Sequence, residues 1–251
     1  MNPITKSPID VVVSLTSWRG RIYSEIVQLV LFSLLKQESP VPFKVVLVLS
    51  SDEFPKKEKE VPTDILKMAS GCDNFEILWH DTDLGPYKKY FPTRQKYPNL
   101  PIITVDDDSI ATPNFMNDLW KLHRAHPDRV IYGYNGTPYN WICRNSIDSV
   151  RYGVALYPPG STYDLDAQFG IKYFKFMDDE FMRLLCLLNG THHTMIDANS
   201  ILIIQAFAQD KAIGRVHSNE FREISNMWSR LGKEHPELKK IWEANRKIRN
   251  N

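Results

Sequence analysis

Three consecutive aspartates, Asp106-Asp107-Asp108, follow the apolar run Ile102-Ile103-Thr104-Val105. Adjacent carboxylates repel one another and Asp is a poor sheet former, so such a run is best tolerated where a cation or a ring of donors offsets the charge. Pro101 suits the start of a strand, and the residues after it predict a short buried one. In α/β sheets ligands sit beyond the carboxyl ends of the strands, which is where these acids fall. In an extended chain Asp106 and Asp108 share a face. Two hard oxygen donors on one face suit Mg2+ or Mn2+ and leave positions for water and phosphate oxygens. An EF-hand is excluded, because its turn glycine would fall at Ala111 and its bidentate glutamate at Asn117. The plainer alternative is a solvated acidic turn in which Asp108 or Ser109 caps a helix.

A second acidic cluster, Asp178-Asp179-Glu180, opens a segment predicted to be helical to Leu188. Acids favour the first turn of a helix through its dipole alone. Beside a metal–phosphate site they acquire another role, since a transfer reaction needs a base that takes a proton from an acceptor hydroxyl. Asp179 is the preferred base, and Asp178 is a like-charged neighbour that can raise its pKa. Asp81-Thr82-Asp83-Leu84-Gly85-Pro86-Tyr87-Lys88-Lys89 ends the third predicted strand. Asp81 or Asp83 could accept from a base imide or ribose hydroxyls, and Lys88 or Lys89 could reach phosphate; an ordinary polar turn is the alternative. Thr16-Ser17-Trp18-Arg19-Gly20-Arg21 follows the first strand and has one glycine, so it is neither a Walker loop nor a dinucleotide fingerprint. Arg19 or Arg21 could pair bidentately with a diphosphate. His217 is a candidate third metal ligand, although a lone His is more often structural. His192 and His193 are adjacent, not spaced as a helical metal pair, and no Gly-x-Ser-x-Gly elbow occurs. Trp141, Tyr152, Tyr157 and Tyr163 offer faces that suit sugar CH groups, with core packing as the alternative.

These residues need a scaffold. Asp10 to Leu15 is a β-branched run, Ser24 to Gln37 has helical spacing, and Phe43 to Leu49 is a second buried-strand candidate. Strand, helix, strand within ~40 residues is a βαβ unit, which predicts parallel strands with right-handed crossovers. Ser51 to Pro62 reads as a surface loop, Thr63 to Ala69 as a short helix, Phe75 to Trp79 as the third strand. Asn114 to His126 is helical and Val130 to Tyr134 a further strand. The expected fold class is α/β, a doubly wound, mainly parallel (mixed) sheet flanked by helices, with C-terminal helices. Residues 1–134 form a nucleotide-binding half. Residues 135–218 form an acceptor half, dense in Tyr, Trp, Pro and Gly between Gly136 and Tyr173. Residues 219–251 hold two helices, Glu220 to Leu231 and a basic one from Pro236 to Arg249.

Composition narrows the class. The 251 residues carry a net charge of +1, which gives no reason to expect a nucleic-acid partner. Three widely spaced cysteines argue against a disulfide framework and fit a reducing compartment. The first ten residues lack an apolar signal core, and no stretch reaches the ~20 apolar residues of a membrane span. A cytoplasmic protein is expected, with peripheral contact at the inner face of the membrane through the basic last helix as a further option.

In sum these motifs resemble a known group. A mid-chain strand ending in Asp-x-Asp is similar to nucleotide-sugar glycosyltransferases of the GT-A fold. The ordered set is narrower: Val13-Ser14-Leu15-Thr16-Ser17 with Arg21-Ile22, Asp83 to Lys89, Ile103 to Asp108, Leu156-Tyr157-Pro158-Pro159, and Asp178-Asp179. It resembles bacterial glycosyltransferases of surface-polysaccharide (capsule or lipopolysaccharide) synthesis. The resemblance implies a donor site drawn from Thr16, Arg21, Asp81, Asp83, Lys88, Lys89, Asp106 and Asp107. It implies metal ligation by Asp108 and His217 with Asp106 at the ribose or metal, and Asp179 as the base of an inverting transfer. The partners would be a nucleoside-diphosphate sugar, favouring UDP, and a glycan or lipid-linked glycan. Two other readings use the same residues: a nucleotidyltransferase or phosphodiesterase, and an inactive glycan-binding module.

Overall fold

The computed structural model describes residues 9–133, 154–196, 201–203 and 224–249. Its centre is a seven-stranded sheet: β1 (Val11–Thr16), β2 (Phe43–Ser50), β3 (Phe75–His80), β4 (Ile102–Val105), β6 (Val130–Gly133), β7 (Val154–Tyr157) and β8 (His193–Ile196), in the order β3-β2-β1-β4-β7-β6-β8. A separate antiparallel pair joins β5 (Ser109–Ala111) to β9 (Ile201–Ile203). The helices are α1 (Glu25–Leu35), α2 (Thr63–Gly71), α3 (Phe91–Lys96), α4 (Phe115–Ala125), α5 (Ala167–Phe174), α6 (Asp178–Leu188), α7 (Ile224–Glu234) and α8 (Pro236–Arg249). Strands β1 to β4 are mutually parallel, and β6 and β8 share their direction. Only β7 opposes them, lying between β4 and β6.

The parallel half follows from its sequence. Val11, Val12, Val13 and Leu15 are all buried, as are Val45 to Leu49. A strand covered on both faces reads as a continuous apolar run rather than an alternating one. The predicted strands and the helices over α1, α2, α4, α6 and α8 are present, displaced by a residue or two at their ends. The antiparallel β7 and helix α5 arise in the stretch that the sequence marks only as irregular.

Winding starts at β1, runs outward through β2 and β3, then returns to the other side of β1 with β4. The order therefore reverses between β1 and β4. In open α/β sheets the crevice at the carboxyl end of such a switch point is where ligands bind. Two apolar cores flank it. One joins β1, β2, α1 and α4; the other joins α5, α6, α7 and α8 to Tyr87 and Tyr90. Ile102 of β4 belongs to the second core, while Ile103 and Val105 belong to the first.

Candidate active site

The switch-point crevice is lined from β1 by Ser17 and Arg21 and from β4 by the three aspartates. The chain does not stay extended through them. Asp107 and Asp108 form a turn, and the Ser109 N–H donates to the Asp106 carbonyl at 3.1 Å. The alternation expected for an extended run is thus replaced by a turn that splits the acids. Asp107 points inward, where it accepts from Ser17 Oγ at 2.6 Å and pairs with Arg21 Nη1. Arg21 Nη1 also reaches Asp108 at 3.3 Å. Asp106 and Asp108 stay partly accessible, with 37% and 17% of their side chains exposed.

Arg21 rather than Arg19 is the arginine of the site. Arg19 is exposed, bonded to Glu60 at 2.7 Å and laid over the Phe54 ring. Arg21 is buried, and the carboxylates of Asp107 and Asp108 raise its pKa despite the opposing effect of burial. Burial pushes Asp107 up, while Arg21 and Ser17 pull it down. Two N–H groups here, Arg21 Nε and Trp18 Nε1, are buried and without an acceptor among the described residues. A buried orphan donor is costly unless a ligand supplies the acceptor.

Lys88 and Lys89 occupy a 3-10 turn over Gly85–Lys89. Gly85 has φ +56°, and its N–H donates to the Asp83 carboxylate at 3.0 Å, which fixes the entry to the turn. Both lysines, expected at the phosphates, are buried and paired with carboxylates. Lys88 Nζ pairs with Asp83 and with Glu53 at 2.8 Å. Lys89 Nζ bridges Asp106 at 2.6 Å and Asp178 at 2.8 Å. Burial opposes the Lys89 charge, yet Asp106, Asp178 and Asp179 overcome it and raise its pKa well above the usual value. Burial raises Asp178 against the pull of Lys89. The turn thus brings the second acidic cluster, at the amino end of α6, against the end of β4.

The remaining predicted residues separate. Thr16 spends its hydroxyl on the Val48 carbonyl at 2.8 Å. Asp81 is exposed at the rim. Tyr157 is buried in β7 with its ring edge-on to Tyr90 at 5.0 Å, a core position that offers no face to an acceptor. Tyr163 is half-buried against the second core. Trp141, Tyr152 and His217 lie outside the described residues. Glu53 and Tyr87 were not singled out from sequence. Glu53 lies in the segment read as a surface loop, and only its spatial pairing with Lys88 identifies it. The Tyr87 hydroxyl is buried without a partner among the described residues, and burial together with Asp178 and Asp179 raises its pKa well above the usual value.

Among the described residues no three His, Cys, Asp or Glu side chains converge as a metal site. The charge balance nevertheless suits a cation. Seven carboxylates (Glu53, Asp83, Asp106, Asp107, Asp108, Asp178, Asp179) surround three cations, Arg21, Lys88 and Lys89, among those residues. A diphosphate would worsen that excess unless positive charge came with it. The carboxylate oxygens of Asp106 and Asp108 are hard donors of the kind Mg2+ and Mn2+ prefer. The site glycine, Gly20, does not form a phosphate cradle: a Cβ there would lie 2.3 Å from the Trp18 ring, so the position makes room for the indole.

No family model matches the chain, and no curated protein matches it. Among solved structures it is similar to S. aureus TarS, with a TM-score of 0.54 and 17% identity over 77% of this chain and 36% of that one. It is similar to S. aureus TarS 1-349 in complex with UDP, with a TM-score of 0.51 and 17% identity over 74% and 57% of the two chains. It is also similar to the mannosyltransferase PcManGT from Pyrobaculum calidifontis in complex with GDP-Man and Mn2+, with a TM-score of 0.51 and 12% identity over 75% and 56%. The chain spans between 36% and 57% of the length of these proteins. At such identities the likeness concerns architecture, and the architecture is the GT-A-like α/β fold that the Asp-x-Asp strand and its neighbours led us to expect.

Proposed function

We propose that the chain is a metal-dependent glycosyltransferase that moves a sugar from a nucleoside-diphosphate sugar, with UDP favoured, to a hydroxyl of a glycan acceptor in bacterial surface-polysaccharide synthesis. The observation that carries this reading is the meeting of two acidic clusters at the switch point, Asp106 to Asp108 from β4 and Asp178-Asp179 from α6. Structural neighbours solved with UDP, and with GDP-Man and Mn2+, support a nucleotide-sugar donor.

In this reading Asp106 and Asp108 would hold the metal, with His217 as a third ligand. Mn2+ or Mg2+ bound there would supply Lewis-acid charge for the diphosphate leaving group. Arg21 Nε and Trp18 Nε1 donate to the donor nucleotide, and Asp81 or Asp83 contacts the nucleobase. Asp179 takes the proton of the acceptor hydroxyl. The acceptor oxygen bonds to the anomeric carbon as the carbon–oxygen bond to the diphosphate breaks, and the electron pair leaves with the nucleoside diphosphate. One base and one displacement give inversion.

A thermal-shift screen of UDP, GDP, CDP and TDP sugars, with Mn2+ or EDTA, tests the reading on the wild type and Asp108→Asn. A shift with one nucleotide that needs Mn2+ and disappears in Asp108→Asn is expected. A folded protein that responds to no nucleotide would sink the proposal and favour a glycan-binding module.

A further inference from the structure

We propose that Lys89 is a positioning residue that ties the amino end of α6 to the carboxyl end of β4, and so sets the distance from the bound donor to the base on Asp179. This rests on the glycosyltransferase reading and assigns Lys89 a different task from the phosphate contact its motif suggested.

The geometry is specific. The Lys89 ammonium contacts Asp106 at 2.6 Å and Asp178 at 2.8 Å, and its side chain is 8% exposed. Asp178 is itself buried at the first turn of α6, adjacent to Asp179 in sequence. The turn that carries Lys89 is clamped to the same helix a second way. The Tyr87 ring meets Phe181 edge-on at 5.8 Å. Gly170 of α5 lacks the Cβ that would lie 2.5 Å from Phe181 and 2.8 Å from Tyr87. One 3-10 turn therefore fixes α6 by a charge and by a ring. The opposite end of the tether, Asp106, belongs to the turn that presents the donor-side carboxylates. A buried ion pair with two partners holds one geometry because breaking it strands a charge. Placing a base within reach of a proton is where small displacements are expensive.

Lys89→Arg separates the two roles. Arginine keeps the charge and binds phosphate at least as well as lysine, but its longer planar head holds the two carboxylates at a different separation than the ammonium does. Three readouts are compared with wild type: UDP affinity with Mn2+ by calorimetry, hydrolysis of UDP-sugar at saturating donor, and amide exchange of the ligand-free chain. For Lys89→Arg we expect UDP affinity within about threefold and turnover lower by about 100-fold, the loss that follows from ångström-scale misplacement. Amides of Phe181 to Leu184, the first that bond within α6, should exchange faster while those of β4 do not. Lys89→Met provides the second variant, and should show the same pattern with a larger exchange change if it folds. UDP affinity lowered about tenfold or more in Lys89→Met and restored in Lys89→Arg, with turnover at saturation unchanged, would mark Lys89 as a phosphate contact and overturn the proposal. A wild type that neither binds UDP nor hydrolyses any UDP-sugar would sink the UDP-donor reading. The exchange measurement needs no ligand, so unchanged α6 amides in both variants would overturn the tether independently.

Discussion

Arg21 and Lys89 divide the acid cluster between them, and their partners behave differently when the cation is lost. Asp107 is buried on the inner side of the turn, with Arg21 as its ion-pair partner. Removing one member of a buried pair leaves the other charge uncompensated, so Arg21→Met should cost about 3–5 kcal/mol at neutral pH. Without the guanidinium the Asp107 pKa, already raised by burial, rises further. A raised carboxyl pKa contributes stability that is present below the unfolded value and lost as pH rises through the folded value. The deficit of Arg21→Met should therefore shrink on acidification. Urea unfolding of both proteins at pH 7 and near pH 5 measures it; a gap that is constant or widens towards acid contradicts this account of Asp107. At Asp179 the expectation is kinetic. Asp179→Asn should leave UDP–Mn2+ affinity unchanged in calorimetry and lower turnover by about 10²–10⁴-fold, the usual worth of a general base. Equal losses in binding and turnover would move Asp179 out of the base role. The acids themselves were legible because they are consecutive in the chain. The cations were legible as residues but not in their pairing: that Lys88 turns to Glu53 and Lys89 to Asp178 depends on a 3-10 turn packed through Tyr87 on a helix about ninety residues later.

Elements were legible where one segment carries its own signal. The β-branched runs of β1, β2 and β4 and the periodic segments of α4 and α6 specify themselves. Val154–Tyr157 does not, since four apolar residues become β7 only through slots provided by Ile102 to Val105 on one side and Ile131 to Gly133 on the other. Helix α5 was missed because its core is built around the absence of a side chain. A Gly-to-Ala change inside a helix ordinarily gains roughly 1 kcal/mol. At Gly170 the added Cβ would lie 2.5 Å from the Phe181 ring and 2.8 Å from the Tyr87 ring, both buried. Overpacking of that kind costs about 1–3 kcal/mol, so Gly170→Ala should destabilise despite its better propensity. Gly71, at the end of α2, has nothing within 4 Å of a built Cβ, so Gly71→Ala should be neutral or stabilising. Denaturant unfolding of the pair checks the opposite signs. A stable Gly170→Ala protein would mean that α5 can move off α6, and with it the clamp on the Lys88–Lys89 turn.

The two cores meet at β4, and the second is completed only by the end of the chain. Trp242 and Leu238 of α8 are buried, and Trp242 packs edge-on against Trp228 of α7 at 5.2 Å. Trp228 in turn donates to Glu180 at 3.2 Å and lies beneath Arg183. Asn245 donates to the Leu187 carbonyl at 2.7 Å, which satisfies one of the acceptors left at the carboxyl end of α6. From sequence the last helix stands out by its basic residues, which read first as a solvated face and, as a further option, as a lipid-facing one. The structure gives its other face a structural role, because the pattern of charges does not reveal that Leu238 and Trp242 fit the groove beside α6. The consequence is testable at the scale of the whole chain. Trp242→Ala should lower stability by about 3 kcal/mol or more, as for large aromatic deletions in cores. Truncation after Glu234 should cost more still, since it also removes Leu238 and the Asn245 contact. Lys240 is exposed, and Lys240→Glu should stay within about 0.5 kcal/mol of wild type, so it can probe binding to anionic vesicles without disturbing the fold. Urea unfolding decides the matter. If truncation leaves the midpoint where it was, α8 is an appendage and its basic face is free to have been kept for a partner. If the midpoint falls with Trp242→Ala, α8 supports α6, the helix that carries Asp179.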